Sequence, residues 1–211
     1  TLPASLKKIP LTMKSVLLLY FFSLTTFAQL YEKKVGESAE DFAQRCSENI
    51  NWELKTTVET ESWNNAKEPI FAFYLDKETN FLLGYVFIKI SGNSYNRILI
   101  DNVGPEGDEA TINELFLWNL DNDSEDELVI LYSWSQNNHA PPISGYLYQV
   151  QLYQNFSVDN LKELNKIDSE KYFPNEFNGT NDSGEVIIAK YTNSKKIIKR
   201  LKQIKGKKAS W

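Results

Sequence analysis

The sequence predicts an α+β fold: a mostly antiparallel β-sheet of meanders and hairpins, with an N-terminal and a C-terminal helix. Three observations predict it. Apolar residues fall at helical spacing at Ala39, Phe42, Ala43 and Cys46, and again at Ile197, Leu201 and Ile204. Between these lie short runs of alternating apolar and polar residues, separated by clusters of Gly, Asn, Asp and Pro. No repeat of 20–50 residues runs through the chain, which argues against a solenoid or a propeller.

The chain opens with the pattern of an export signal. Lys14 follows the single methionine, Met13; residues 16–24 are apolar, and small and polar residues lead to Ala28-Gln29. A basic start, a short apolar core and a small residue before the cut are the features that a signal peptidase reads. The apolar run is shorter than the roughly 20 residues that a membrane span needs. Residues 1–12 read as upstream sequence ahead of Met13. Residues 1–28 therefore stand apart from the fold, cleavage is expected near Ala28-Gln29, and the product is expected in the periplasm or outside the cell. Residues 29–211 then form one soluble, mainly β domain with a basic C-terminal helix or tail and no transmembrane anchor.

Ser38 caps the first predicted helix, with Asp41 three residues on as a loose capping box. Trp52, Leu54, Thr56 and Val58 alternate as a strand. Residues 70–75, 82–90 and 95–101 read as a three-stranded meander joined by the turns 76–80 and 91–94. Gly104-Pro105-Glu106-Gly107 closes that unit. Residues 112–120 and 127–134 form the next pair of strands. Residues 136–142 read as a polar loop, 144–153 as an alternating strand, and Leu161, Leu164 and Ile167 as a short helix. Residues 173–184 read as loop and 185–191 as a strand. Ser194 is expected to cap the last helix.

Charge narrows the partners. Residues 29–194 carry 28 acidic and 12 basic side chains, whereas residues 195–211 carry 8 basic and no acidic ones. An acidic body argues against nucleic acid, whose phosphates demand a basic surface. The basic tail reads either as a contact for an anionic surface or as a solvated helix docked on that body. Cys46 is the only cysteine, so no internal disulfide forms, and it reads as a small buried hydrophobe.

Few residues point to enzyme chemistry. One His and one Cys exclude the common His/Cys zinc sites. No Gly-x-Ser-x-Gly elbow and no Gly-rich phosphate loop appears. Carboxylates abound without a spacing that singles out a pair. The sharpest local feature is residues 119–129, where oxygen-bearing side chains fall at Asn119, Asp121, Asp123 and Glu127 before an apolar strand. Alternate side chains at the start of a tight loop converge, and a hard cation such as calcium takes six to eight oxygens. The competing reading is an acidic hairpin turn with no ion. Trp134, Asn138, His139 and Tyr146 are the candidate ligand contacts, because loops on a rigid sheet often carry binding. Aromatics in a β-rich domain are also core formers, and that reading covers Trp118, Tyr132, Trp134, Tyr146 and Tyr148.

The 119–129 segment resembles the calcium loops of FG-GAP and VCBS repeats, which run Asp-x-Asp-x-Asp-Gly-x-x-Asp/Glu before an apolar strand. The resemblance implies Asn119, Asp121, Asp123 and Glu127 as side-chain ligands, with a backbone carbonyl near Glu125. Asn119 stands where the first acid would be, and Ser124 where the turn glycine would be. With a single copy, a propeller is not implied. The whole of residues 29–211 is similar to an uncharacterised family of exported flavobacterial-type proteins, on Val35-Gly36-Glu37-Ser38, Gly84-Tyr85-Val86-Phe87-Ile88, Pro105-Glu106-Gly107, the Asp-rich loop and Ser144-Gly145-Tyr146-Leu147-Tyr148. The expectation is a non-catalytic envelope protein that binds or assists an envelope protein or glycan. Two alternatives stand beside it: an accessory protein or enzyme of surface-polysaccharide biosynthesis or processing, and a secreted inhibitor or immunity-type protein whose acidic body meets a basic enzyme.

Overall fold

Alternating side chains and tight turns build two antiparallel sheets that face each other. The computed structural model describes residues 29–121, 123–139, 142–156 and 162–205; the export signal expected over residues 1–28 lies outside them. The first sheet joins β1 (Leu30–Glu32), β2 (Trp52–Glu59), β5 (Ile70–Asp76), β6 (Leu82–Ser91) and β7 (Ser94–Val103) in the order β1-β7-β6-β5-β2. A small hairpin, β3 (Ser62–Trp63) and β4 (Ala66–Lys67), lies between β2 and β5 in the chain. The second sheet joins β8 (Ala110–Trp118), β9 (Glu127–His139), β10 (Pro142–Tyr153), β12 (Glu176–Thr180) and β13 (Val186–Ile187) in the order β13-β12-β10-β9-β8. The short β11 (Lys166–Ile167) also pairs with β10.

Three apolar layers hold this together. Between the sheets, Phe71, Phe73, Val86, Ile98 and Ile100 meet Leu128, Ile130, Tyr132, Trp134 and Tyr153. Helix α1 (Ala39–Arg45) covers the outer face of the first sheet, where Phe42 and Ala43 pack with Ile70, Ala72, Tyr74 and Phe87. Helix α2 (Ser194–Lys205) covers the outer face of the second sheet, packing Ile197, Leu201 and Ile204 on Val129, Leu131, Val150 and Leu152. Stripes of apolar residues at helical spacing are what such docking needs. Among the described residues, no helix is long and apolar enough to cross a membrane.

Local chemistry sets the ends of these elements. Ser38 Oγ accepts a bond from the Asp41 amide at 3.0 Å and donates to Asp41 Oδ2 at 2.7 Å, closing the first turn of α1. Arg45 grips Glu37 through two bonds of 2.8 Å, which holds the Glu37 carboxyl down at about 2. Cys46 caps the other end of α1, and burial pushes its thiol up to about 11.

Several expected boundaries move. Residues 136–139 are not loop: β9 continues to His139 and β10 begins at Pro142, because the polar ends of the two strands still pair, His139 with Pro142 and Asn137 with Ser144. Residues 176–180, expected as loop, form β12, which lies against β10 at a pair of facing glycines, Gly145 and Gly179. A Cβ on Gly145 would meet Asn178 O at 2.3 Å, so only glycine allows this approach. Residues 162–167 form no helix. The Leu99 amide donates to the Lys162 carbonyl and the Leu99 carbonyl accepts from the Leu164 amide instead, and Ile167 sits in β11; Leu161 lies outside the described residues. The strand expected over 185–191 shrinks to the two residues of β13. Asn193 rather than Ser194 caps α2, with its Oδ1 accepting from the Lys196 amide at 3.1 Å.

Gly84 gives the fold its most local test. It faces Phe73 across the β5–β6 pair, and an added Cβ would lie 2.7 Å from the buried Phe73 ring. Gly84→Ala is expected to lower stability by about 1–3 kcal/mol, the usual cost of overpacking. The shift in urea midpoint at unchanged slope measures it.

Candidate metal centre

The loop between β8 and β9 is built from both sides. Trp118 and Glu127 form the last pair of the ladder, so the chain must turn within eight residues. Leu120 is buried among Val129, Leu131, Leu201 and Ile204, which fixes the start of the turn. Asp121 Oδ1 accepts from the Asp123 amide at 3.1 Å, and Asp123 Oδ1 accepts from the Glu125 amide at 2.7 Å. These successive side-chain-to-backbone bonds are the turn chemistry that aspartate favours. They curl the loop so that one carboxylate oxygen each of Asp121, Asp123 and Glu127 lies within 4.8 Å of the others.

Glu127 differs from its two partners. It opens β9 and is only 6% exposed, whereas Asp121 and Asp123 are exposed. Its Oε2 accepts from the Leu120 amide at 2.7 Å. Burial pushes its carboxyl up to about 7, and the nearby Asp121 and Asp123 charges push the same way. Three converging carboxylates, one of them buried, can hold a metal ion, whose charge would relieve both the burial and the repulsion.

The other two residues of the expected ligand set do different work. Asn119 Nδ2 donates to the carbonyls of Asp123 at 2.6 Å and Glu125 at 3.0 Å. The Glu125 carbonyl that the calcium-loop resemblance would point at an ion is therefore bonded to Asn119. The Asn119 Oδ1 and carbonyl both accept from Lys205 Nζ, each at 2.9 Å. Lys205 is the last residue of α2, and Lys202 one turn earlier lies 5.6 Å from the Trp118 ring. The basic face of the helix is thus docked at the acidic loop.

A second support was not legible in the sequence. The β3–β4 hairpin reaches across, and Trp63 Nε1 donates to the Asp126 carbonyl at 2.7 Å. Asn64, at φ 53°, accepts from the Asp126 amide at 2.6 Å and donates back to its carbonyl at 3.2 Å. The Trp63-Asn64-Asn65-Ala66 stretch carries a turn signal, since asparagine tolerates positive φ, but nothing in it names its partner.

The candidate ligand contacts do not form one surface. Trp134 is buried between the sheets and donates through Nε1 to the Gly104 carbonyl at 3.0 Å. Tyr146, 49% exposed, pairs with Ser135 and points to the opposite face of the sheet, where its ring lies 6.3 Å from that of Tyr148. Strand alternation separates them. Asn138 and His139 are exposed at the far end of β9.

No family model matches this chain, and it is similar to no curated protein and to no solved structure. The site therefore stands on its own geometry.

Two outcomes follow for the metal-free protein. Glu127 holds its proton in the folded state up to about 7 but releases it near 4.5 when unfolded. The folded state thus binds more protons between these values, and its stability falls as pH rises through that window. Glu127→Gln should flatten the slope and leave the variant the more stable of the two at pH 8, as followed by chemical unfolding at several pH values in chelator. Asn119→Ala should cost about 1–3 kcal/mol through the lost ties to the Asp123 and Glu125 carbonyls.

Proposed function

We propose that this chain is an exported binding module of the bacterial envelope, without catalysis of its own, whose β8–β9 loop is held in shape by a calcium ion. The observation that carries the reading is the convergence of Asp121, Asp123 and Glu127 at the root of β9. All three offer carboxylate oxygen, the ligand of hard cations, and no thiol or imidazole joins them. Calcium suits the site better than magnesium because it accepts irregular geometry and a variable number of water ligands. The module part of the reading is supported by the export signal expected in residues 1–28, by the likeness to exported flavobacterial-type proteins, and by a two-sheet scaffold of the kind that presents binding loops. The partner in this reading is an envelope glycan or protein.

Thermal unfolding of residues 29–211 with calcium, with magnesium and with chelator tests the reading, alongside an Asp121→Ala/Asp123→Ala variant. A ligand that binds only the folded state adds about 2.7 kcal/mol at a hundred times its Kd. The melting temperature should rise with calcium in the parent chain and stay still in the variant. Equal melting in all conditions would reduce the loop to an acidic turn.

A further inference from the structure

We infer that the cleft at the open edge between the two sheets binds an uncharged saccharide. The cleft has a volume of about 490 Å³, within the range of small-molecule sites. Its floor is the inner face of β10, where Leu147, Gln149 and Gln151 alternate with the outward Tyr148, Val150 and Leu152. The inner face of a two-sheet core is expected to be apolar. Two glutamines in succession on that face break the rule.

Gln151 is the telling residue. It is 95% buried by its 5% exposure, and the little that is exposed opens onto the cleft. No side-chain hydrogen bond ties it to another described residue, and its carboxamide is not among the polar atoms sealed from solvent, so the amide faces the cleft. An amide held in the cleft wall without a protein partner takes its hydrogen bonds from whatever fills the cleft, water or a ligand. A well-placed hydroxyl supplies what it lacks, since an amide both donates and accepts.

The walls disfavour an anion. On one side Asp101 accepts from the Tyr153 hydroxyl at 2.6 Å and from Lys166 Nζ at 3.0 Å, so the one lysine of the cleft is neutralised within it. Glu106, Asp168 and Glu170 remain, with no ion-pair partner among the described residues. An anionic ligand would be repelled. Carboxylates accept hydroxyl pairs well, and the apolar side chains of Leu147, Val103 and Ile167 offer surface for the C–H face of a sugar ring. Alternating polar edge and apolar face is the chemistry of a saccharide, whereas a peptide would call for apolar side-chain sockets or a free strand edge. None of these residues belongs to the Asp-rich loop, so this inference does not depend on the calcium reading.

The test is ligand-observed saturation-transfer NMR on residues 29–211. The probes are neutral hexoses, N-acetylhexosamines and their disaccharides, with glucosamine and glucuronic acid as charged controls. At least one neutral saccharide should bind the parent chain. Gln151→Leu should weaken it by at least about tenfold, equivalent to the loss of one good hydrogen bond. The same variant should melt no lower than the parent, because an unpartnered amide has been replaced by an apolar side chain. Gln149→Leu gives an independent reading should the deeper substitution unfold the chain. Binding should persist in Asp121→Ala/Asp123→Ala, so failure of the cleft and failure of the cation site are read separately. Absence of any neutral binder at millimolar concentration, binding by a charged control alone, or unchanged affinity in both glutamine variants would overturn the inference.

Discussion

Strand β9 is the constraint on which the other elements depend. Most antiparallel strands keep one face in water, but Val129, Leu131, Leu128, Ile130 and Tyr132 of β9 are all fully buried. One set faces the first sheet and the other faces α2. The strand therefore ties two of the three apolar layers together, and its register fixes β8 and β10 on either side. A shift of one residue would exchange the two layers and place Ser133 between the sheets, which explains why the register is firmly specified.

The Asp-rich loop inherits its rigidity from this strand. Glu127 is at once the first residue of β9 and the deepest carboxylate of the cluster. Its Oε2 is tied to the amide of Leu120, which is itself buried in the layer under α2. The cluster thus places a charge where the core would prefer none, and a cation is the simplest group that satisfies it. The hairpin at Trp63 and Asn64 and the lysines of α2 approach the same loop from two other directions. Two segments distant in sequence thus hold the loop, in addition to the strands that flank it.

How much of this was legible depended on whether a local pattern carried the information. The meander from Ile70 to Val103 and the strands on either side of the acidic loop were legible, because alternation between turn residues needs no long-range partner. The extension of β9 through Gln136 and Asn137 was not, since four polar residues look like loop until their partners on β10 are known. The same is true of β12, whose Asn178 and Gly179 read as turn residues yet serve a close strand approach. At the site, the spacing of Asp121, Asp123 and Glu127 was enough to bring them together. The roles of Asn119 and Glu125 were not legible, because Lys205 and the backbone carbonyls that occupy Asn119 are supplied by the fold. Alternation in β10 was visible, but which side faced inward was not, and the buried glutamines are recognisable only once that side is known.

The most direct test of the central claim is a calorimetric titration of residues 29–211 with calcium near pH 7. The account predicts one ion bound per chain, with protons released as the raised Glu127 carboxyl ionises against the metal. A heat of dilution alone, or binding without proton release, would contradict it.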